Sequence, residues 1–97
     1  MDLILFYVWC ISVAGDEKAY LVAAANKDAA FATIPPFLRW DWTVRPANHT
    51  ECRKLGAKFD DEDTVVFDDK FFVFNAEKKQ FEMDCWVNYA VRPDLKN

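Results

Sequence analysis

The chain has few of the residues on which most catalytic motifs depend. It has two glycines and one histidine among 97 residues, and it contains no Gly-rich phosphate loop, no GxSxG and no HExxH motif. A cysteine or serine nucleophile needs a base within reach and a third group that orients the base. Cys52 and His49 are neighbours on one short predicted helix, and such neighbours seldom provide that arrangement. We therefore predict no enzymatic activity, no catalytic residues and no cofactor.

Cysteine is also sparse, which argues against a disulfide framework and a structural metal. The three cysteines form no CxxC pair. With the single histidine they could make one zinc set, and its members are Cys10, His49, Cys52 and Cys85. His49 and Cys52 are spaced to face one ion from a helix. The other two cysteines are isolated, whereas structural zinc motifs usually supply close ligand pairs on both halves. The sequence therefore predicts no metal site.

No apolar segment is long enough to cross a membrane as a helix. The longest run covers residues 3–13, whereas a spanning helix needs about 20 residues. A signal peptide is disfavoured because the only charge before the run is Asp2. The run is also rich in β-branched and aromatic residues, which are typical of a strand. We expect a cytoplasmic protein.

Apolar and acidic side chains are abundant. The chain is 53% hydrophobic and 16% aromatic, which at this length is enough to form one packed core. The net charge is −4 and the isoelectric point is near 4.8. Such a charge disfavours attraction to nucleic acid or to an anionic membrane. The predicted partner is therefore a basic surface on another protein.

Apolar runs separated by turn signals predict the order of the strands. Alternation and β-rich composition indicate strands over six segments: residues 3–14, 19–25, 37–45, 64–67, 71–75 and 80–88. A parallel sheet is disfavoured because it needs crossover helices of ordinary length between successive strands. The sequence therefore predicts an antiparallel sheet of about five or six strands.

Two short helices interrupt this series of strands. Asn26 is suited to cap a helix that Pro35 and Pro36 bring to an end. Asn48 and Glu51 match the spacing of a capping box for a second helix over residues 49–55. We predict a single small α+β domain over residues 1–97 with both helices on one face of the sheet. Residues 92–97 are expected to form a frayed tail.

Negative charge is concentrated in residues 59–69, which hold six acids and no base. A compact carboxylate patch can bind a cleft lined with Lys and Arg, or imitate a row of phosphates. The same pattern is also typical of a solvated loop that keeps a hydrophobic protein in solution. An EF-hand is excluded, because Val65 and Phe71 occupy the positions that require Gly and Glu. We predict a partner-binding site in this acidic loop with two aromatic residues, comprising Asp60, Asp61, Glu62, Asp63, Asp68, Asp69, Trp86 and Tyr89.

An alternative site lies in residues 39–58, where bases outnumber acids by five to two. Exposed aromatic side chains can stack on nucleobases while neighbouring cations follow the phosphates. The candidate nucleic-acid-binding residues are Arg39, Trp40, Trp42, Arg45, Arg53 and Lys54. Against this hypothesis, the two tryptophans share one face of a predicted strand, and we expect that face to supply the core.

In size, acidity and lack of catalytic motifs, the chain is similar to the small inhibitors carried by phages and mobile elements, including anti-CRISPR proteins and DNA mimics. This general likeness implies a non-enzymatic protein-binding module. It also implies that the partner is a nucleic-acid-handling host complex with a basic surface. The alternative is a nucleic-acid-binding or metal-stabilised accessory domain built on residues 39–58.

Overall fold

The computed structural model describes residues 3–84. They form seven strands, two α-helices and a 3₁₀ helix, in the order β1 (Ile4–Ile11), β2 (Glu17–Ala24), α1 (Lys27–Phe31), the 3₁₀ helix (Pro36–Leu38), β3 (Asp41–Pro46), α2 (His49–Lys54), β4 (Lys58–Asp61), β5 (Thr64–Phe67), β6 (Lys70–Asn75) and β7 (Gln80–Met83). The predicted small α+β domain with an antiparallel sheet is therefore confirmed. The prediction of a frayed tail lies outside the described residues.

The seven strands form one sheet in which β1 is the central member. The order is β2-β1-β7-β6-β5-β4, and β3 also pairs with β1. On one edge β1 pairs with β2 along its whole length. On its other edge it pairs with β3 from Phe6 to Cys10 and with β7 at Ile4. The β1 strand therefore joins the β2–β3 part of the molecule to the β4–β7 part.

Two apolar clusters lie on opposite faces of β1, because successive side chains of a strand point in opposite directions. The α1 cluster contains the buried residues Phe6, Val8, Cys10, Ala24, Ala30, Ile34 and Leu38. The α2 cluster contains the buried residues Leu5, Leu21, Ala47, Cys52, Ala57, Val65, Phe72 and Phe81. The two helices thus pack on opposite faces of β1 instead of on one face. Both faces of this strand are apolar, and each requires its own cover.

The predicted helix caps are present. The Asn26 side chain accepts a hydrogen bond from the Ala29 amide at 2.8 Å and begins α1. At α2, the Asn48 side chain accepts from the Glu51 amide at 2.8 Å, and the Glu51 carboxylate accepts from the Asn48 amide at 3.0 Å. This reciprocal pair is a complete capping box. After α2, Gly56 adopts a positive φ of 96°, a conformation that suits glycine at a helix end.

Two segments differ from the predicted elements. The strand expected over residues 37–45 begins only at Asp41, because Pro36 starts a 3₁₀ turn that holds Phe37 and Leu38. The second difference is β4, which was expected to be part of an acidic loop. It pairs with β5 through Phe59 opposite Val65 and contains a register shift between Phe59 and Asp61. This pairing adds one strand to the predicted number.

Candidate binding surfaces

The structure divides the six predicted acidic site residues between two turns. Four of them lie at the end of β4 and in the β4–β5 turn, and we call Asp60, Asp61, Glu62 and Asp63 the acidic turn. The other two, Asp68 and Asp69, form the β5–β6 turn at the opposite end of β5. A four-residue strand is about 13 Å long. Residues 59–69 are therefore two hairpin connections and not one compact loop.

The β5–β6 turn has a local structural reason for its two aspartates. Asp68 and Asp69 both have positive φ values, 53° and 59°, and Phe67 pairs directly with Lys70 across the turn. Two consecutive left-handed residues are typical of a type I′ hairpin turn, where aspartate is tolerated better than most residues. Lys70 also places its ammonium 3.6 Å from the Asp68 carboxylate. These contacts explain both aspartates without a partner protein.

One acid from each turn lines a shared groove. Asp60 and Asp69 both face a depression of about 390 Å³. Its other lining residues are Lys58, Phe59, Val66 and Phe71. Lys58 adds one basic side chain to the same lining. Asp60 and Asp69 therefore line one depression, whereas the other acidic residues of the two turns are not part of its lining.

The acidic turn is fixed to α2 by a histidine that sequence reasoning placed in a zinc set. His49 Nε2 lies 3.0 Å from the Asp63 carboxylate, and the Asp63 amide donates to the Asp61 carboxylate at 2.9 Å. The Asp63 carbonyl also accepts from the Phe74 amide at 2.8 Å. Side-chain and backbone bonds together thus hold Asp63 in one position.

The His49 ring packs against aromatic side chains of three strands. Its centroid is 4.5 Å from that of Phe74, 4.9 Å from that of Phe81 and 6.1 Å from that of Phe59. The first two contacts are edge-to-face, a favoured geometry for aromatic rings. Sequence reasoning missed this role because His49 and Asp63 are 14 residues apart. The sequence showed locally only that His49 begins the predicted second helix, which does not indicate a contact with Asp63.

The basic residues of the alternative site are also divided. Arg45 forms a bidentate ion pair with Glu51 and places its guanidinium 4.7 Å from the centre of the Tyr7 ring. Arg53 lies 4.5 Å from the centre of the Phe59 ring. These two arginines, with Lys54, lie on the α2 side of β1. The charges of Arg45 and Arg53 are therefore directed at groups within the chain.

The other three residues of the alternative site lie on the α1 side of β1. Arg39 lies 4.6 Å from the centre of the Phe31 ring and donates to the Ile34 carbonyl at 3.0 Å. Trp42 is 5.1 Å from Phe31, and 45% of its surface is exposed. Trp40 is 67% exposed. The prediction that this face supplies the core is therefore wrong for both tryptophans.

A third exposed aromatic side chain lies shortly before the two tryptophans in the chain. Phe37, in the 3₁₀ helix, is 67% exposed, and Trp40 donates its amide to the Ile11 carbonyl at the end of β1. We call Phe37, Trp40 and Trp42 the aromatic ledge. Sequence analysis assigned Phe37 to the predicted strand over residues 37–45 and did not count it among the site residues. The predicted site residues Trp86 and Tyr89 lie outside the described residues.

The two described cysteines cannot share a metal ion, because they belong to different clusters. Cys10 lies in the α1 cluster and Cys52 in the α2 cluster. Burial, to which the Glu51 carboxylate adds, raises the pKa of the Cys52 thiol to about 11. Burial also raises the pKa of Cys10, although Lys18 opposes the shift. Residues 3–84 contain no group of three or more His, Cys, Asp or Glu side chains placed to hold a metal ion.

Hydrogen bonds from two neighbouring side chains lower the pKa of Glu82. The Gln80 side chain donates to its carboxylate at 2.6 Å and the Asn75 side chain donates at 3.2 Å. These hydrogen bonds outweigh the opposing effect of burial, and Lys78 contributes in the same direction as the bonds. Since they stabilise the ionised form, Glu82 is a hydrogen-bond acceptor that links β6 to β7.

Comparisons of the chain with protein-family models, curated proteins and solved structures find no match. In the part of the chain that the structure describes, no helix has the length and apolar character needed to span a bilayer. The two surfaces must therefore be interpreted from their own geometry.

Proposed function

We propose that this protein is a non-enzymatic binding module whose acidic turn docks on a basic surface of another protein. The observation that carries the proposal is the exposure of three successive carboxylates, Asp61, Glu62 and Asp63, on a turn anchored by His49. An anchored turn loses little conformational entropy on binding. Closely spaced carboxylates also attract a cationic partner at long range.

Negative charge is concentrated in the segment that contains the acidic turn, because residues 59–69 hold six acids and no base. The chain is acidic overall, with a net charge of −4, and two of its arginines stack on aromatic rings near α2. Since the whole chain has a net charge of −4 and residues 59–69 contribute −6, the rest of the chain has a net charge of +2, and the attraction for a cation is local to this segment. Because the interaction is electrostatic, its association rate and affinity should decrease with salt.

The finer part of the proposal concerns the partner and its location. The carboxylates of the acidic turn and the phosphates of a nucleic acid are both anions. They would therefore compete for the Lys and Arg side chains of a complex that binds nucleic acid. The proposed role is therefore inhibition of such a complex in the cytoplasm, as in the phage-encoded inhibitors and DNA mimics to which the chain is similar in size and charge.

The test compares two double variants that each remove two negative charges. The first is Asp61→Asn with Glu62→Gln, which leaves the Asp63–His49 pair intact. The matched control is Asp68→Asn with Asp69→Asn, because asparagine tolerates the positive φ of that turn. The probe is an arginine-rich peptide, and its binding is measured by calorimetry at several salt concentrations.

We expect the first variant to weaken peptide binding by about five- to tenfold, since exposed charge pairs each contribute up to about 1 kcal/mol. The control should change binding much less. Equal losses in the two variants would mean that overall charge and not the acidic turn determines binding. Unchanged affinity in the first variant would refute the proposal.

A second candidate function is favoured by the exposure of Trp40 and Trp42. Exposed aromatic side chains can stack on unpaired bases, and each stacked base contributes about 1–3 kcal/mol. Arg39 lies beside this surface and could contact a phosphate. The test is titration of a labelled oligothymidine at low salt. Trp40→Ala should abolish binding whereas Trp40→Phe retains most of it, and failure of the unaltered protein to bind would exclude this function.

A further inference from the structure

The sheet has three strands with a neighbour on one side only within residues 3–84. These are β2 and β4 at the two ends of the strand order, and β3, which pairs only with β1. An open strand edge presents unpaired amides and carbonyls that can pair with another chain. Natural proteins protect such edges with charges, prolines, bulges or side-chain caps. The three edges differ in how far they are protected.

Two of these edges carry recognisable protection. Ala47 donates to the Leu5 carbonyl, so alternation along β3 directs the amides of Trp42 and Val44 away from β1. The Asp41 side chain accepts from the Trp42 amide at 2.8 Å, and Pro46 has no amide hydrogen.

The β4 edge is protected by its length, composition and geometry. This strand has four residues, of which three are charged: Lys58, Asp60 and Asp61. It also contains the register shift that distorts a regular ladder. A foreign strand would therefore find a short and irregular partner here.

The β2 edge has none of these devices over most of its length. All eight residues pair with β1 in unbroken register, so the strand contains no bulge. Its last six residues, Ala19 to Ala24, include no charge, proline or glycine. A strand of eight residues extends for about 26 Å. It is the longest regular edge in the described part of the sheet.

The hydrogen-bond phase shows which backbone groups of β2 face outward. Ser12 donates to the Asp16 carbonyl at the hairpin end, so the even-numbered residues of β2 bond to β1. The odd-numbered residues then direct their amides and carbonyls away from the sheet, and these residues are Glu17, Ala19, Leu21 and Ala23. No described residue pairs with this side of β2.

We infer that β2 pairs antiparallel with β2 of a second copy of this chain, which extends the sheet through a twofold axis. A twofold axis brings the same surface of each copy together, so the edge must complement itself. With Tyr20 opposite Tyr20 of the second copy, Glu17 faces Ala23 and Ala19 faces Leu21. This register uses all four outward-facing residues.

The chemistry of β2 favours a second copy as the occupant of this edge. In the register centred on Tyr20, no charged residue lies opposite a like charge, because Lys18 faces Val22 and Glu17 faces Ala23. Facing tyrosines at a pair without backbone hydrogen bonds stabilise an antiparallel sheet. Tyr20 and Val22 are half-buried in the single chain, and the second copy would cover them further. This inference is independent of the proposed function.

The first test measures mass and amide protection in the unaltered protein. Light scattering after size exclusion should give twice the 11.3 kDa of one chain as the protein concentration is raised. In the dimer, hydrogen exchange at Ala19, Leu21 and Ala23 should slow to the rates of Lys18, Tyr20 and Val22. A constant mass of 11.3 kDa overturns the proposal. A dimer in which the outward amides exchange rapidly also overturns it.

The second test uses a matched pair of lysine substitutions. Ala19 and Thr43 both lie opposite Trp9, on its two sides and on the same face of the sheet, and both are exposed. Ala19→Lys places a charge on the unprotected edge and should raise the dimer dissociation constant by about tenfold or more. Thr43→Lys places the same charge on β3 and should leave the constant unchanged.

A third variant addresses the backbone directly. Ala19→Pro removes an outward-facing amide and leaves the ladder with β1 intact, so the chain should remain folded by circular dichroism and become monomeric. If this variant fails to fold, the lysine pair still decides the question. Equal dissociation constants for Ala19→Lys and the unaltered chain would overturn the proposal.

Discussion

The α1 and α2 clusters cover opposite faces of the same strand, yet they leave different surfaces to the solvent. In the α2 cluster, Phe72 and Phe81 are fully buried, and His49 closes the cluster at the acidic turn. Around the α1 cluster, Trp40 and Trp42 remain exposed at the rim. The exposed groups are therefore mainly charged beside the α2 cluster and aromatic beside the α1 cluster.

The difference follows from the length of chain available to cover each face. The α2 cluster is covered by α2 together with strands β5, β6 and β7. The α1 cluster is covered by a five-residue helix and the 3₁₀ turn. A helix of five residues is about 8 Å long, whereas the eight residues of β1 extend for about 26 Å. The α1 helix is thus much shorter than the strand beneath it, and Trp40 and Trp42 remain 67% and 45% exposed.

The largest expected difference between the clusters concerns their central side chains. Phe81→Ala should lower the free energy of unfolding by about 4 kcal/mol, and Ile34→Ala in the α1 cluster by about 3 kcal/mol. Phe81 should cost more because its removal also takes one aromatic contact away from His49 and one from Phe74. Urea denaturation with an unchanged m-value gives both numbers, and Phe81→Leu provides a milder variant. A larger loss for Ile34→Ala would contradict the comparison.

Alkaline pH should weaken the α2 cluster through Cys52. The pKa of this thiol is about 11 in the folded protein and 9.0 ordinarily. The unfolded chain therefore loses the proton first, so stability is complete below pH 9 and falls by about 2 kcal/mol as the pH rises to about 11. Urea denaturation over this range should show a smaller decrease for Cys52→Ala. Parallel decreases in the two proteins would mean that another group is responsible.

The helix caps should distinguish the two clusters less strongly. Asn48→Ala should cost about 1–2 kcal/mol, because it removes one bond of a reciprocal capping box, whereas Asn26→Ala should cost about 0.5–1 kcal/mol. Thermal unfolding of the two variants and of the unaltered chain measures these losses in the free energy of unfolding. Aspartate at either position retains a capping oxygen and serves as the control. Equal costs would show that the reciprocal bond from the Asn48 amide adds nothing measurable to the strength of the bond that Asn48→Ala removes.

The smallest effect is expected at the aromatic ledge. Trp40→Ala should change the free energy of unfolding by no more than about 0.5 kcal/mol, as is usual for exposed positions. Trp42→Ala should cost somewhat more because of its contact with Phe31. Urea denaturation monitored by circular dichroism measures both changes. A loss above about 1 kcal/mol at Trp40 would show that this side chain is covered in solution.

Local signals account for the elements that the sequence predicted well. The bounds of β5, Thr64–Phe67, match the prediction, since a short β-branched run lies between turn residues. Both helices begin where Asn26 and Asn48 cap them. These features depend on neighbours within four residues, which the sequence displays directly.

The remaining features depend on contacts between distant residues. Lys58, Asp60 and Asp61 are poor strand formers, and β4 exists because it pairs with β5 and packs Phe59 against the α2 cluster. Alternation placed Trp40 and Trp42 on one face, but it could not show that α1 is too short to cover them. The contact between His49 and Asp63 likewise requires the folded hairpin.

The position of β1 in the sheet has a consequence for synthesis on the ribosome. Its partner β2 follows at once, whereas β7 pairs with Ile4 through Glu82, almost eighty residues later. The nascent chain therefore exposes Leu5 and its apolar neighbours until β7 emerges. Exposed apolar surface of this kind favours aggregation and chaperone binding. The α2 cluster can therefore be completed only after almost the whole of the described segment has been made.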